Sequence, residues 1–566
     1  MNTTAGDATM YLDETVQVNS PRFDGLTLFD WAQDISGHLG EDAVDDDLRA
    51  EIDVITPVTS VSRRLYGTYL GWVYRELLGR VPAGSRIETH ACEAIAIEQR
   101  GDREVVTLSD ERAIEVDSVV LAIGHTDTED RLRTPRSQFI YIAPGQPAEQ
   151  DWSVVPEGEA VVVRGLGLNF YDTMALLTLG RGGRFAPCED GSLTYLPSGK
   201  EPILWAGSRR GIPFKAKSIT TTRATPLEMR YPSRETLARL EDARGAIDFD
   251  RDMWPWVRKE ALWQTALAEL RSTNPARSTE LAERFDAAPG ATTPDRASLR
   301  SDFGIEYAFD PDRTGAPFED VQFDDPAAFD QAIRGWIDDD LAEAALGETS
   351  VVKLGDRAIG AARAWIFPLA SYGGLEGRSH RARLEGWYAG YANSLAGGPP
   401  ALRVRQLAAL IDAQVVRMLG AGMHVQDAPE GVVATSLTTP HRVVHARALI
   451  EARLPDADVE RTASTLLSSL HAKKRVRPYA LPSPVGINPL TAGGIDVTEA
   501  PFRVVDGHGV PNPRVFALGV PVGPHVGTSF TAFARSNSAF LRQTDSVAAA
   551  ALRLARGDDQ RENVRR

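Results

Sequence analysis

The hydrophobic pattern of the chain contains three short apolar runs that each end beside a glycine. The runs and their glycines are 160–163 with Gly165, 119–123 with Gly124, and 515–518 with Gly519. Runs that are apolar at every position, rather than at alternate positions, are typical of strands buried on both faces of a parallel sheet. A glycine directly after such a strand lets the backbone turn sharply or pass close to another group. The pattern therefore predicts an α/β fold.

The pattern changes to a helical one between about residues 221 and 420. Tryptophans and leucines recur there at helical spacing, and clusters of proline and aspartate separate the segments as loops and N-caps. Residues 403–419 have an amphipathic pattern that begins after Gly-Gly-Pro-Pro and ends at Gly420, which predicts one helix over this stretch. Tryptophans at this spacing are more often core residues than a substrate cage. We interpret the region as a mostly helical inserted domain.

Composition limits the classes of protein that this chain can represent. It has 566 residues, a net charge of −16, a pI near 5.2 and two cysteines, Cys92 and Cys188. Such an acidic chain is not expected to carry a broad nucleic-acid-binding surface. Few cysteines, no signal sequence and no apolar run of about 18 residues predict a cytoplasmic protein without a membrane span. His441 and His445 lie four apart without further ligand-type partners, so no metal site is predicted.

The run at 160–163 continues through Gly165-Leu-Gly167 into an apolar-periodic segment, which predicts a strand, a turn and a helix. Gly165 permits a tight turn, Gly167 permits backbone N–H groups to approach a pyrophosphate, and the start of the helix faces that anion with its positive end. The third glycine of the usual fingerprint is replaced by Phe170. The motif predicts a dinucleotide site, and a strand–turn–helix without a ligand is the alternative.

The group that reads the adenosine ribose of a dinucleotide is expected about 20 residues after the first glycine. An acid there suits a free 2′-hydroxyl, and a basic residue suits a 2′-phosphate. Arg184 comes first, Glu189 and Asp190 follow, and Arg209 and Arg210 add a basic pair. The arginines favour NADPH over NADH, although paired arginines are also simply surface charge on an acidic chain.

Two helix starts carry further candidate residues. Ser62 can cap a helix whose first turn contains Arg63 and Tyr66, where an arginine and an aromatic ring can meet a cofactor. A surface arginine and a core aromatic are an equally good interpretation of that spacing. Thr528 and Ser529 can cap a long helix behind the run that ends at Gly519, which predicts a second anion-stabilising position.

Several stretches, in their order along the chain, carry a family resemblance. They are Asn2-Thr-x-Ala-Gly-Asp-x-Thr-Met10, Arg64-Leu-Tyr-Gly-x-Tyr-Leu70, Val119-Val-Leu-Ala-Ile-Gly124, Gly165-Leu-Gly-Leu-Asn-Phe-Tyr-Asp172 with Arg181-Gly-Gly-Arg-Phe185, and Phe516-Ala-Leu-Gly519. With them, nearly the whole chain resembles the FAD/NAD(P)-binding family that includes bacterial FAD-dependent urate hydroxylase and aspartate N-monooxygenase (nitrosuccinate synthase).

The resemblance implies a flavin-dependent monooxygenase. NAD(P)H would reduce FAD, and reduced flavin with O2 would supply an oxygen atom to a small polar substrate. The expected cofactor-binding residues are Gly165, Gly167, Arg184 and Arg209 for NAD(P)H, Gly124 and Gly519 for close passage of the cofactors, and Arg63, Arg64, Tyr66, Thr528 and Ser529 for the flavin. No catalytic base is marked by spacing, and the sequence does not predict the oligomeric state.

Members of that family begin with a strand and a Gly-x-Gly-x-x-Gly turn that hold the FAD pyrophosphate, and this unit does not precede Met1 here. Loss of a central strand would leave apolar strand edges uncovered. We therefore expect the natural protein to be longer. If the chain is natural as written, we expect weak binding of FAD.

The predicted architecture is α/β, with two Rossmann-like dinucleotide-binding domains, the first incomplete at its N-terminus, and a mostly helical insertion. The predicted segments are 1–145 (FAD-binding), 146–220 (NAD(P)-binding), 221–430 (helical substrate domain) and 431–566 (return to both cofactor domains, with a C-terminal helix). Two other functions stay open. One is a flavin-free NAD(P)-dependent dehydrogenase, and the other is a truncated or degenerate, non-catalytic nucleotide-binding protein.

Overall fold

The computed structural model describes residues 1–18, 20–40, 44–129, 139–306, 309–483, 489–526 and 532–557. Its α-helices are α1 Leu28–Ala32, α2 Ile35–Leu39, α3 Asp46–Ile52, α4 Arg63–Gly79, α5 Leu168–Thr178, α6 Arg234–Asp242, α7 Trp254–Thr273, α8 Ser278–Ala287, α9 Arg296–Phe303, α10 Pro326–Ala345, α11 Val351–Ala361, α12 Arg363–Ala370, α13 Gly377–Ser379, α14 Ala389–Ala396, α15 Ala401–Asp412, α16 Thr465–Ala472, α17 Gly523–Val526 and α18 Ala539–Arg556. Two π-helical segments cover Phe249–Met253 and His380–Tyr388.

The strands form several separate sheets. They are β1 Ala94–Arg100, β2 Arg103–Leu108, β3 Ala113–Val116, β4 Val119–Leu121, β5 Ile140–Ile142, β6 Ala160–Arg164, β7 Arg184–Pro187, β8 Leu193–Leu196, β9 Ile203–Gly207, β10 Val416–Gly420, β11 His424–Ala428, β12 Gly431–Thr435, β13 Val444–Ala446, β14 Ala448–Glu451, β15 Pro478–Ala480, β16 Thr491–Ile495, β17 Arg503–Val505 and β18 Pro511–Ala517.

The largest of these sheets has five parallel strands in the order β10-β9-β6-β14-β5. Its central strand β6 contributes Val161, Val162 and Val163, all fully buried. Helix α5 follows β6 directly and packs Phe170 and Met174 into the same core. The buried parallel strand, the turn and the helix predicted from the sequence are thus all present, and the mixed α/β class is confirmed.

The other two glycine-ended runs are neighbours in a second sheet. Strand β18 pairs in parallel with β4, so Val515 lies opposite Val119 and Ala517 opposite Leu121. Strand β17 is antiparallel to β18 on its other side, and β4 forms the outer edge of this sheet among the described strands. The three runs therefore lie in two sheets rather than in one.

The structure departs from the predicted elements at residues 403–419. Helix α15 ends at Asp412, and Gln414 adopts a φ of +59°, a conformation that no helix continues through. The chain then enters β10, where Val416 pairs with Leu204 of β9. A helix and a buried strand are joined here by three residues, and their continuous apolar pattern does not reveal the break.

Two strands of the five-stranded sheet come from predicted segments other than 146–220 and 431–566. Strand β5 falls within the predicted segment 1–145, and β10 falls within 221–430, yet both pair into the five-stranded sheet. Each strand is short and pairs with a strand that is distant in sequence, β5 with β14 and β10 with β9. The sheet is therefore assembled from four separate parts of the chain.

Buried ion pairs connect the helical region to the loop after β9. Lys215 Nζ lies 2.7 Å from Asp356 Oδ2, and Lys353 Nζ lies 2.6 Å from Asp340 Oδ1. The backbone of Ala216 sits between the two pairs, donating to Asp340 and accepting from Lys353 at 2.6 and 2.7 Å. All four charged residues are buried. The pairs therefore hold residues 215–216 firmly against α10 and α11.

Within the described ranges, no helix has both the length and the apolar character needed to cross a membrane. The same residues contain no group of three His, Cys, Asp or Glu side chains arranged to hold a metal ion.

We expect Asp356→Asn to lower the stability of the helical region by about 3–5 kcal/mol, because Lys215 would stay buried and charged without its partner. Urea unfolding followed by tryptophan fluorescence measures the effect. Glu306→Gln is the matched control, since its pair with Arg300 is exposed and is worth about 0–1 kcal/mol. Equal midpoints for the two variants would contradict the role assigned to the buried pair.

Candidate functional site

The turn between β6 and α5 needs both of its glycines for packing. Gly165 has a φ of +120°, and a Cβ on it would lie 2.7 Å from the carbonyl oxygen of Ala452, just after β14. A Cβ on Gly167 would lie 3.3 Å from the ring of Phe214. Phe170, in place of the third glycine, is fully buried. The glycines thus bring β6, β14 and the loop after β9 close together.

The start of α5 is suited to an anion. Its N-cap is Gly167, which supplies no side-chain cap, and no acceptor is recorded for the N–H groups of Leu168 and Asn169 among the described residues. Many other helices, including α1, α3, α4 and α6, are capped by the side chain of a Thr, Asp or Ser. Free N–H groups at a helix start bind phosphate. This turn therefore fits the pyrophosphate of a dinucleotide.

The structure separates the arginines predicted to read the ribose. Arg184 is exposed and begins β7, which forms a two-stranded antiparallel hairpin with β8 outside the parallel sheet. Arg209 and Arg210 instead follow β9, the parallel neighbour of β6. Because the hairpin is inserted between the two parallel strands, the ordinary spacing of about 20 residues ends at the hairpin, and the next parallel strand leads to Arg209 and Arg210.

Arg209 and Arg210 approach the second π-helix and α14. Arg209 Nη1 donates to the carbonyl oxygen of Gly386, and the position of a Cβ on Gly390 is 3.2 Å from Arg210 Nη1. Burial lowers the pKa of Arg210 to about 10, and its Nε atom is buried without a hydrogen-bond partner. Arg210 is thus a desolvated cation at the carboxyl end of the parallel sheet.

The residues predicted for the flavin side at the start of α4 are engaged in other contacts. Arg63 is exposed and donates to Asp172 of α5 at 2.6 Å. Arg64 is hydrogen-bonded to Asp45 at the start of α3. Tyr66 is half-buried, and burial raises the pKa of its hydroxyl. Arg63 therefore connects α4 to the helix of the dinucleotide turn.

Gly124 and Gly519 follow the neighbouring strands β4 and β18. Both have positive φ values, +65° and +80°, and among the described residues no atom beyond the chain neighbours lies within 4 Å of a Cβ built on either. An open space at this position is what a ligand passing close to the backbone requires. Thr528 and Ser529, the other residues predicted near this strand end, lie outside the described residues.

A small cleft lies beside Gly124, where the segments that follow the carboxyl ends of the two sheets meet. Its walls come from the segments after β4, β14 and β18, including His125, Pro455 and Val520. His125 Nδ1 is buried without a hydrogen-bond partner, and burial lowers the pKa of this imidazole. The segments that follow β4, β14 and β18 therefore lie side by side at this cleft.

The π-helix His380–Tyr388 carries two titratable side chains, His380 and Glu385, which lie 3.6 Å apart. Burial raises the pKa of Glu385 to about 7, against the opposing effect of Arg381 at 3.1 Å. Burial lowers the pKa of His380 to about 4, so its imidazole is neutral at pH 7. The charge of Asp456, in the wall of the cleft, also reaches Glu385. Glu385 is thus a carboxyl group that gains and loses a proton near neutral pH.

Sequence reasoning did not single out Glu385, Lys217 or Arg363, and Arg210 appeared only as half of a basic pair. Each of these residues looks like an ordinary surface charge in the sequence. What distinguishes them is burial, which depends on segments far apart in the chain. The one local signal is the glycine content of residues 386–397, which permits cations to approach closely.

Comparison with known proteins identifies the family of the chain. A family model described as FAD-NAD(P)-binding matches residues 1–126. The L-aspartate N-monooxygenase (nitrosuccinate-forming) of Streptomyces davaonensis is 34% identical over 98% of this chain and 88% of that protein. The nitrosuccinic acid synthase of Aspergillus oryzae is also 34% identical, over 98% of this chain and 84% of its own, and the L-aspartate N-monooxygenase of Streptomyces cremeus is equally similar, over 98% and 86%.

These features define an FAD-dependent, NAD(P)H-using monooxygenase that acts on a small polar substrate with O2. The chain belongs to the family of flavin-dependent N-monooxygenases that includes the Streptomyces and Aspergillus enzymes. This membership excludes the flavin-free dehydrogenase and the non-catalytic protein as interpretations. A solved ornithine N-hydroxylase from Kutzneria sp. 744 superposes with a TM-score of 0.35 and 11% identity over 93% of this chain and 83% of that one, a likeness too low to support any conclusion.

We expect Gly165→Ala to destabilise the protein, because the φ of +120° is strained for alanine and the new methyl group would meet the Ala452 carbonyl. A residue in such a conformation costs about 1–3 kcal/mol before the clash is counted. Thermal unfolding measures the change. Gly67→Ala in α4 is the control, since it has open space and helical backbone and is expected to stabilise by about 0.5–1 kcal/mol. A Gly165→Ala protein as stable as the wild type would refute the packing role.

We expect Glu385→Gln to raise the melting temperature at pH 8 by more than at pH 5.5. The pKa of Glu385 is higher in the folded protein than the ordinary value of 4.5, so the folded state binds this proton more tightly than the unfolded chain does. Glu385 therefore destabilises the fold progressively as pH rises from about 4.5 to 7.

Calorimetric melting at the two pH values measures this difference. Glu280→Gln is the control, because the Arg277 guanidinium lowers the pKa of that exposed carboxyl, and its titration lies below pH 5.5. An equal change in melting temperature at both pH values for Glu385→Gln would show that Glu385 does not titrate in this range.

Proposed function

We propose that this protein oxidises the amino nitrogen of L-aspartate to form nitrosuccinate, using NAD(P)H, FAD and O2. The observation that supports the proposal is the 34% identity to enzymes named for that reaction, which extends over 98% of this chain and 88% of the Streptomyces davaonensis protein. Identity that runs through the helical region as well as the cofactor segments includes the part expected to shape the substrate pocket.

We assign the cofactors to the two sheet ends. The turn at Gly165 and Gly167 would hold the NAD(P)H pyrophosphate, with Arg209 and the more distant Arg184 as candidates for the ribose phosphate. The FAD would pass Gly124 and Gly519, with Arg63, Arg64, Tyr66, Thr528 and Ser529 as the remaining candidates on its side. When bound, the flavin supplies the redox chemistry and the activation of O2. The proposed domains are those predicted from the sequence, with β5 and β10 added to the NAD(P)-binding sheet.

The chain itself would contribute proton transfer and exclusion of water. Oxygen transfer to nitrogen requires the lone pair of a neutral amine, so the substrate ammonium group must lose a proton. Glu385, with a pKa of about 7, is suited to accept a proton at its carboxylate near neutral pH. The half-buried position of Glu385 would limit the access of water to the reacting groups. We place the protein in the cytoplasm, in keeping with its two free cysteines.

Purification of the chain with FAD, followed by addition of NADPH and L-aspartate in air, tests the proposal. We expect flavin absorbance in the purified protein, NADPH oxidation that increases with L-aspartate, and nitrosuccinate detected by mass spectrometry. L-Asparagine and L-ornithine serve as control substrates and should give little product. NADPH oxidation that yields only hydrogen peroxide with L-aspartate would refute the assignment of the substrate.

A further inference from the structure

The second π-helix brings together two side chains that an α-helix would separate. At its end the N–H group of Ala389 donates to the carbonyl oxygen of Leu384, five residues earlier. In an α-helix, residues five apart point about 140° away from each other, because each residue turns by about 100°. In a π-helix they are one turn apart and lie close together. His380 and Glu385 are five residues apart, and His380 Nδ1 accordingly lies 3.6 Å from Glu385 Oε1.

The imidazole of His380 is buried and lacks a hydrogen bond at one nitrogen. The residue is 3% exposed, and its Nδ1 atom has no hydrogen-bond partner among the described residues. A buried polar atom without a partner is unfavourable and is found at sites where a group binds or reacts. The distance from Nδ1 to the carboxyl group of Glu385 is slightly longer than a hydrogen bond. Contacts of this kind often shorten when an enzyme binds its substrate.

Three other polar or charged groups contact the carboxyl group of Glu385 or lie beside it. Arg381, on the same helix, lies 3.1 Å from Glu385 Oε2. The negative charge of Asp456, from the segment after β14, raises the pKa of Glu385. Arg209, from the loop after β9, donates to the carbonyl oxygen of Gly386, the next residue in the chain. Glu385 is therefore held beside the carboxyl end of the five-stranded sheet.

The charged groups on the other elements packed against this helix have partners of their own. Asp250, on the first π-helix, lies 2.7 Å from Arg383 Nε. Arg251 and Asp252 of that helix pair with each other at 2.6 Å. Glu376 caps α13 through its side chain. Helix α14, which continues the second π-helix, contains no charged residue.

We propose that His380 is the positioning residue for Glu385, and that the two side chains together take up the proton that the substrate ammonium group must lose. This inference rests on the proposed function and adds a residue to its proton transfer. As an N–H bond of the ammonium group breaks, an O–H bond forms at Glu385 Oε2, which leaves a neutral amine and a neutral carboxyl group. The neutral imidazole donates from Nδ1 to Oε1 before and after this step. His380 therefore holds the carboxyl group in one orientation throughout.

The first experiment measures the protonation of Glu385 without substrate, in wild-type, His380→Phe and His380→Gln holoenzymes. Each protein is compared with its own Glu385→Gln counterpart, and the difference in melting temperature is followed from about pH 5 to about pH 9.5. This difference grows with pH and levels off above the pKa of Glu385 in the folded protein. A hydrogen bond to a carboxylate is about twice as strong as one to a neutral carboxyl group, so loss of the Nδ1 donor favours the protonated form. The difference should therefore level off about one pH unit higher in His380→Phe.

Two further variants act as controls. His380→Gln keeps an N–H donor and should level off at nearly the same pH as the wild type. His445→Phe replaces an exposed histidine of β13 and should behave as the wild type does.

The second experiment measures kcat for L-aspartate against pH. Because a base must be ionised to accept a proton, kcat rises with pH through the pKa of Glu385, which is about 7. An increase of about one unit in this pKa should lower the kcat of His380→Phe about fivefold at pH 7 and leave it near the wild-type value at pH 9. The KM for NADPH and the flavin content should stay unchanged. A His380 that only supports the fold would lower kcat equally at every pH.

The outcomes separate this inference from the proposed function. If the melting difference levels off at the same pH in His380→Phe and in the wild type, the inference is overturned, even if the wild type converts L-aspartate. A shifted melting difference with an unshifted pH profile of kcat also overturns it, because the pair then takes no part in the proton transfer. Conversely, a wild type that oxidises L-asparagine or L-ornithine instead of L-aspartate, with a pH profile that shifts in His380→Phe, refutes the proposed substrate and supports the inference.

Discussion

The arrangement of this protein depends on the two buried ion pairs that hold the loop after β9. Lys215 with Asp356 and Lys353 with Asp340 enclose the backbone of Ala216, so the loop is fixed to α10 and α11 rather than lying free at the sheet end. The same short loop runs from Arg209 to Lys217. Fixing Lys215 and Ala216 therefore restrains Lys217, whose ammonium group lies near Asn2.

The remaining architecture brings two sheet ends to one region. The close contact of Gly165 with Ala452 joins β6 and β14, and the segment after β14 then forms part of the cleft beside Gly124. The segment that follows β14 of the five-stranded sheet thus forms a wall of the cleft at the end of the sheet that contains β4 and β18. Such continuity suits an enzyme that must pass reducing equivalents between two bound cofactors, because the geometry at one end restrains the geometry at the other.

The parts of the fold that could be predicted from sequence are those whose causes are local. The run of valines before Gly165 and the glycine spacing after it identify a strand and a turn because burial and positive φ leave direct marks in the sequence. The end of α15 leaves no such mark, because Gln414 adopts a positive φ without being a glycine. The sequence also does not reveal that Arg184 lies on a hairpin while Arg209 follows a parallel strand.

The π-helix at His380–Tyr388 sets the direction in which the side chains of the following helix, α14, point. Successive residues of a helix are rotated by about 100° around its axis. Deleting one residue to restore α-helical bonding would turn Gly390 and Asn393 away by about that angle, and the arginines that now rest on them would face other side chains. The extra residue of the π-helix thus fixes the rotation of α14 about its axis. A relative with one residue fewer at this point would present a different face of α14 to Arg210 and Arg363.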